Sequence, residues 1–213
     1  MSIASNLNQI KESIPKGVTL VAVSKTKPKS DILEAYNAGQ RIFGENKVQE
    51  LANKYAELPK DIQWHMIGHL QSNKVKYIAP FVSLIHGVDS LKLLKEVNKR
   101  AEQNNRVIDC LLQVHIASES TKFGFGTDEI ESALIAVEEF KNINIIGLMG
   151  MATFTNDEKQ VNNEFALLSK LFEKVKTSSI NTLSIGMSGD YKLAINNGST
   201  MIRVGSAIFG HRN

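Results

Sequence analysis

The sequence predicts a single α/β domain, a closed (β/α)8 barrel of the TIM type with an extra helix at its N-terminus. Eight short apolar or β-branched runs alternate with stretches of helical periodicity. Strands that are separated by helices form parallel sheets through right-handed crossovers. No linker or change of composition divides the 213 residues, so residues 1–213 are expected to form one barrel near the lower size limit of this fold.

The predicted strands are short runs rich in valine, isoleucine, leucine and methionine. They cover residues 18–23, 41–44, 62–68, 81–87, 107–116, 143–149, 182–186 and 201–205. Apolar residues at helical spacing predict helices over 90–104, 128–141 and 158–176, with Thr127 as the expected N-cap of the second of these. A further helix over residues 7–14 is expected before the first strand.

An open doubly wound sheet is the main alternative to the barrel. Such sheets bind dinucleotides with a glycine-rich turn after the first strand. Here the first strand is followed by Ser-Lys-Thr-Lys-Pro at 24–28, which has no glycine. The sequence therefore favours the closed barrel.

Charge and cysteine content limit the classes of function. The 25 basic and 22 acidic residues are interspersed and give a net charge of +3, which does not indicate a nucleic-acid partner. The single cysteine, Cys110, excludes an intrachain disulfide and is expected to be a buried thiol. Residues 1–16 do not resemble a signal peptide, and no apolar run has membrane-spanning length. We expect a cytoplasmic protein without a membrane partner.

A lysine stands at the end of the first predicted strand. Ser24 and Lys25 follow the apolar run, and Pro28 keeps the strand from continuing. The carboxyl ends of barrel strands carry the chemistry of this fold. A desolvated lysine can lose its proton and form a Schiff base with an aldehyde, whereas most lysines are solvated surface charges. Lys25 alone leaves both interpretations open.

Two loops near the end of the chain carry small polar residues. Ser184, Gly186 and Ser188 lie at the end of the seventh strand, and Gly205 and Ser206 follow the eighth. Barrel enzymes often bind phosphate with the loops after these two strands. Glycines let a backbone approach an anion closely, and serine hydroxyls and N–H groups donate to it. Simple turns are the alternative, but both loops occur where a phosphate site is expected.

Barrel closure would bring the lysine and these loops together. Strand eight of a closed barrel pairs with strand one, so Lys25 should lie beside the loops after strands seven and eight. A ligand with an aldehyde and a phosphate could then reach the amine and the glycine-rich loops at once. Pyridoxal 5′-phosphate has these two groups and is the cofactor that this arrangement predicts.

Arg203 lies inside the last predicted strand, two residues before Gly205. A buried arginine stays protonated and needs a partner. That partner is either an inward carboxylate, in a structural ion pair, or the pyridine nitrogen of the ligand. A cation at the pyridine nitrogen disfavours ring protonation and weakens the ring as an electron sink. This arrangement suits holding the cofactor, or modest racemase-like chemistry, better than transamination.

Four further residues carry polar groups near the predicted mouth of the barrel. Asn46 ends strand two and either contacts the cofactor or caps the next helix. His65 and His69 are four residues apart on a strand and its exit loop, so they do not share a helical face and no metal site is expected. Lys122 is a second candidate amine near the mouth, with an exposed lysine as the alternative.

Several segments together resemble the pyridoxal-phosphate-binding homeostasis proteins, whose barrel is similar to the N-terminal domain of alanine racemase. The matching segments run in order through nearly the whole chain. They are residues 22–28, 43–46 with Gln49 and Glu50, 64–71, 147–149, 183–188 and 203–210.

The resemblance implies a non-enzymatic carrier or regulator. Lys25 would be the Schiff-base lysine, and the two late loops would hold the phosphate. The role implied is in intracellular vitamin B6 and amino-acid homeostasis, without established turnover. We expect pyridoxal 5′-phosphate and, as recipients of it, apo-enzymes as partners, and we expect the protein itself to be a monomer.

A pyridoxal-phosphate-dependent racemase is the alternative function. Alanine racemases carry a second, β-rich domain and a catalytic tyrosine opposite the lysine, whereas this sequence ends just after strand eight. None of its tyrosines stands at the carboxyl end of a predicted strand. A Schiff-base aldolase without a cofactor would also use the two loops, and visible absorbance distinguishes it from a cofactor-binding protein.

Overall fold

The structure, a computed structural model, describes residues 2–119 and 123–210. Lys122 lies outside these residues. Eight parallel strands form a closed barrel in which the strand order follows the chain. The strands are β1 (Thr19–Val23), β2 (Ile42–Glu45), β3 (Gln63–Met66), β4 (Leu84–Val88), β5 (Ile108–Val114), β6 (Ile143–Gly150), β7 (Thr182–Met187) and β8 (Met201–Val204). The predicted fold class and each of the eight predicted strands are confirmed.

Helices surround the barrel and precede its first strand. They are α1 (Ile3–Ser13), α2 (Lys29–Asn37), α3 (Val48–Glu57), a 3₁₀ helix (Ser72–Tyr77), α4 (Leu91–Gln103), α5 (Ile130–Ala136), α6 (Glu158–Val175), α7 (Tyr191–Asn196) and α8 (Ser206–Phe209). The extra N-terminal helix begins earlier than predicted, because the Ser2 side chain caps it by accepting the Ser5 N–H. No helix of the described residues combines the length and apolarity needed to cross a membrane.

The prediction for α5 was too long, and Thr127 is not its N-cap. The helix begins only at Ile130, because the Glu129 carboxylate accepts the Gly126 N–H at 2.6 Å and the Glu129 N–H donates to the Gly126 carbonyl. These bonds close a separate turn before the helix. At the other end Glu138 and Glu139 follow the last helical residue, where the helix dipole disfavours acidic side chains.

Apolar side chains form two clusters on the two faces of the sheet. The larger cluster lies between strands and helices and includes Phe43, Trp64 and Phe165. The smaller cluster fills the barrel interior with residues from six of its strands or strand ends. Its buried members are Val21, Ile67, Leu84, Leu111, Met149 and Met201. Alternation of side chains along each strand explains why neighbours in sequence belong to different clusters.

Cys110 is fully buried in the larger cluster, as expected. Burial raises the pKa of its thiol, so the group remains a neutral thiol. The prediction of a structural role inside an apolar strand is therefore consistent with its position.

The barrel closes where β1 pairs with β8. Val21 lies opposite Arg203, and Ala22 lies opposite Val204. The carboxyl end of β1 therefore lies next to the loop after β8, as the sequence predicts. This register brings Lys25 to the same edge of the barrel as Gly205.

Gly186 should tolerate no side chain, whereas Gly189 in the same loop should accept one. Gly186 has φ +94°, and a Cβ there would come within 2.6 Å of the Ala194 Cβ and 2.9 Å of the Tyr191 Cα. A Cβ at Gly189 would meet nothing within 4 Å. We expect Gly186→Ala to reduce the free energy of unfolding by about 2 kcal/mol or more, and Gly189→Ala to change it by less than about 0.5 kcal/mol. Urea denaturation of both variants tests this, and equal effects would contradict it.

Candidate functional site

A cavity of about 620 Å³ opens at the carboxyl ends of the strands. This volume lies within the range of roughly 300–1,000 Å³ that is typical of small-molecule sites. Six of the eight predicted site residues line it. They are Lys25, Asn46, Ser188, Arg203, Gly205 and Ser206. Ser184 and Gly186 are not among the lining residues.

The sequence did not predict the apolar residues that line this cavity. Val23 and Ile67 contribute from the barrel side, and Met151, Phe154 and Met187 come from the loops. The Phe154 side chain is 98% exposed although it borders the cavity. Apolar loop residues at a strand end have no sequence signal that separates them from ordinary packing residues.

Lys25 stands on a tight turn directly after β1. The Lys27 N–H donates to the Ser24 carbonyl at 3.0 Å and closes the turn. The Lys27 side chain lines the cavity as well, and its Nζ donates to the Phe209 carbonyl at 2.8 Å. The turn is thereby tied across the β1–β8 seam to the end of the chain.

A buried ionic network lies on the outer side of this turn. Lys54 Nζ donates to the Ser24 carbonyl at 2.8 Å and to Oε1 of both Glu45 and Glu50 at 2.7 Å. The Ser24 hydroxyl donates to Glu45 Oε1 at 2.6 Å. Burial raises the pKa of the Glu45 carboxyl, and the bonds from Lys54 and Ser24 oppose that rise. The i, i+4 spacing of Glu50 and Lys54 was the available sequence signal for this network.

The loops after β7 and β8 are joined to each other. The Ser188 hydroxyl accepts the Gly205 N–H at 3.0 Å. Gly205 itself packs closely on Val23, since a Cβ there would lie 3.2 Å from the Val23 Cβ and carbonyl oxygen. Gly186 lies behind these residues against α7, where it shapes the loop.

Asn46 is not the N-cap of α3, because Lys47 occupies that position.

Arg203 is 3% exposed and reaches the floor of the cavity. Its Nη1 donates to the carbonyl and the hydroxyl of Ser184 at 2.8 and 2.6 Å, and its Nη2 donates to the Gly150 carbonyl at 3.0 Å. All these partners within the described part of the chain are uncharged, so the ion pair with an inward carboxylate is not observed. Burial lowers the pKa of Arg203 to about 10, which leaves it charged at neutral pH.

Ser184 lies beneath Arg203 and connects it to two buried histidines. The Ser184 hydroxyl lies 3.1 Å from His86 Nδ1, and His86 Nε2 lies 3.0 Å from His65 Nδ1. A guanidinium only donates, so Ser184 accepts from Arg203 and has its own hydrogen for His86 Nδ1. This assigns the His86 hydrogen to Nε2, from which it is donated to His65. The sequence predicts no metal site at His65, and its spacing gives no signal for this buried network.

Burial keeps both histidines neutral. It lowers the pKa of His65 from 6.5 to about 3, and it lowers the pKa of His86 well below 6.5, with further lowering by His65 and Arg203. No group of three or more His, Cys, Asp or Glu side chains in residues 2–119 and 123–210 could hold a metal ion. The polar side chains that line the cavity thus carry two amines, a guanidinium, an amide and two hydroxyls.

The neutral histidines predict that acid destabilises the fold. In the unfolded chain each histidine takes up a proton below pH 6.5, whereas His65 and His86 stay neutral in the folded barrel. The contribution of the two histidines to the free energy of unfolding is therefore full above pH 6.5 and is lost as the pH falls below that value. We expect the free energy of unfolding to drop by about 1.3 kcal/mol per histidine between pH 7 and pH 5.5.

Urea denaturation of the apoprotein at the two pH values measures this drop. A His65→Gln variant is the control and should lose about half of the pH-dependent part, whatever its stability at pH 7. A free energy of unfolding that does not change over this interval in either protein would contradict the assignment of neutral buried histidines.

Comparison with known proteins identifies close relatives over the whole chain. Residues 1–213 match the family described as "Alanine racemase, N-terminal domain". The "Pyridoxal phosphate homeostasis protein" of Aquifex aeolicus (strain VF5) is 35% identical over 226 residues, which cover 100% of this chain and 99% of the relative.

Solved structures show the same barrel. PipY of Synechococcus elongatus PCC7942 with PLP bound matches with a TM-score of 0.89 and 34% identity over 98% of this chain and 100% of PipY. The alanine racemase of Clostridium difficile 630 matches with a TM-score of 0.78 over 99% of this chain and 56% of the racemase. At 13% identity, the racemase shows the shared fold alone.

Proposed function

This chain belongs to the pyridoxal phosphate homeostasis proteins, within the family of alanine racemase N-terminal domains, and on this basis we propose that its cavity binds pyridoxal 5′-phosphate for cofactor homeostasis. The observation that carries the proposal is the meeting of Lys25, the Ser188–Gly205 loop pair and Arg203 around one cavity. The cofactor supplies an aldehyde and a conjugated pyridine ring.

The lysine amine suits the aldehyde. A Schiff base forms when a neutral amine attacks an aldehyde carbon and the carbonyl oxygen leaves as water. Lys25 lines the cavity from the end of β1, and Val23 and Ile67 line the same cavity.

The two late loops suit the phosphate. Ser188, Gly205 and Ser206 line the side of the cavity that follows β7 and β8. Their hydroxyls can donate to phosphate oxygens, and the missing side chain of Gly205 lets the ligand approach the backbone. Gly186 and Ser184 act on this site through the loop and through Arg203, not by contact.

Arg203 suits the pyridine nitrogen. Its guanidinium keeps a positive charge at the cavity floor and is fixed there by Ser184 and Gly150. A ring nitrogen that accepts a bond from this cation is not protonated, which limits electron withdrawal by the ring. Asn46 lines the same cavity and is a further polar contact for the cofactor. The arrangement favours holding the cofactor over driving its chemistry.

We propose a carrier or regulator without turnover, with apo-enzymes as recipients of the cofactor. The names of the relatives agree with a role in homeostasis. A racemase would need a second acid–base group opposite the lysine. Tyr36, Tyr55, Tyr77 and Tyr191 all lie in the described residues, and none of them lines the cavity. A cytoplasmic location and a monomeric state stay predictions.

The adduct should form at Lys25. We expect the protein loaded with the cofactor to be yellow and to give one covalent adduct after borohydride reduction. Lys25→Ala should abolish that adduct, and Lys27→Ala, which removes the neighbouring cavity amine, should retain it. Mass spectrometry of the intact proteins and peptide mapping measure both results. An adduct mapped to another residue would show that the site assignment is wrong, and a colourless protein would favour a cofactor-free aldolase.

Turnover of amino acids should stay at the level of the free cofactor. None of the tyrosines in residues 2–119 and 123–210 lines the cavity, so no tyrosine of these residues stands ready to return a proton to the opposite face of a substrate. Chiral chromatography of L-alanine incubated with the loaded protein measures this, with Lys25→Ala plus the cofactor as the control. Racemisation well above that control would favour the racemase alternative.

A further inference from the structure

The turn that carries Lys25 contains a residue in an unfavourable conformation. Thr26 has φ +65°, in the left-handed region. Side chains branched at Cβ rarely adopt this region, where glycine is the usual residue. The chain is extended up to Val23, and Thr26 lies next to Lys25 inside the turn that the Lys27 N–H closes on the Ser24 carbonyl.

The Glu50 carboxylate contacts the backbone of Thr26. The Thr26 N–H donates to Glu50 Oε1 at 2.6 Å, a short bond to a charged acceptor. Glu50 lies in the first turn of α3, and its side chain is 23% exposed. The bond therefore connects the turn after β1 to the helix after β2.

Lys54 fixes the other end of the same turn. Its ammonium has three donors, and they go to the Ser24 carbonyl, Glu45 Oε1 and Glu50 Oε1. With all three used, Lys54 orients the Glu50 oxygen and the first carbonyl of the turn together. None of these groups is needed to close the barrel ladder, since β1 and β2 pair at Ala22 and Val23.

We propose that Glu50, oriented by Lys54, is a positioning residue for Lys25. It keeps Thr26 in the left-handed region and so directs the lysine amine into the cavity. This inference rests on the proposed binding of pyridoxal 5′-phosphate at Lys25. Without the carboxylate, Thr26 returns to a negative φ, the turn opens, and the amine spends less time within reach of the aldehyde.

Glycine at position 26 provides a specific test, because glycine adopts φ +65° without assistance. Glu50→Ala removes the carboxylate that accepts the Thr26 N–H. The double variant Glu50→Ala with Thr26→Gly also removes the carboxylate, but its glycine reaches φ +65° without that bond. Thr26→Gly alone is the reference for the double variant. Glu96→Ala is the matched control. Glu96 pairs with Arg100 at the same i, i+4 spacing, and its side chain is equally exposed at 23%.

The measurements are the apparent dissociation constant of pyridoxal 5′-phosphate by visible absorbance and the urea denaturation of each apoprotein. We expect Glu50→Ala to bind about tenfold more weakly, which is about 1.4 kcal/mol. Glu96→Ala should bind as the unmodified protein does. Adding Thr26→Gly to Glu50→Ala should restore most of the lost affinity. If Glu50→Ala weakened binding only by destabilising the whole fold, the added glycine would not restore it.

Two results would overturn the proposal: unchanged affinity in Glu50→Ala, or a double variant as weak as Glu50→Ala. If the Glu50→Ala apoprotein does not fold, Glu50→Asp takes its place with the same expectations, because it keeps a charge for Lys54 but is one methylene too short for Thr26. Failure of the unmodified protein to form an adduct at Lys25 would instead overturn the proposed function, and this inference with it.

Discussion

The pairing of β1 with β8 is the constraint on which the site depends. It closes the barrel and sets Val21 opposite Arg203. Residues from opposite ends of the sequence thereby share one cavity, with the lysine after β1 beside the loops after β7 and β8. Lys27 adds a bond across the same seam to the Phe209 carbonyl. An open sheet with these same strands would leave the amine and the loops at opposite edges.

The two faces of the sheet support the cavity in different ways. Inside the barrel, Arg203, Ser184, His86 and His65 form a polar layer in which only the guanidinium carries a charge. Outside, the network around Lys54 holds the turn after β1. The hydrogen bonds that fix the Arg203 guanidinium and the turn after β1 reduce the freedom of groups at the cavity, which lowers the entropic cost of binding a ligand there.

The relation to the alanine racemases is a shared fold. The barrel superimposes on the racemase domain at low identity, while the relatives that match over the full chain carry the name of homeostasis proteins. The cavity has no tyrosine among its lining residues. A shared barrel does not by itself imply a shared reaction, because the chemistry depends on a few side chains at the strand ends and not on the barrel.

The sequence by itself determined the barrel, since periods of apolar residues dictate strand and helix order, and it identified Lys25 and the two late loops through their places after strands. It could not place Ser184 or Gly186, because whether a residue at a strand end faces the cavity or the layer beneath depends on strand tilt and register. Only the tertiary structure brought Glu50 to Thr26 and the histidines to Arg203. These contacts join distant segments, and nothing in local propensity encodes which polar groups will meet when a barrel closes.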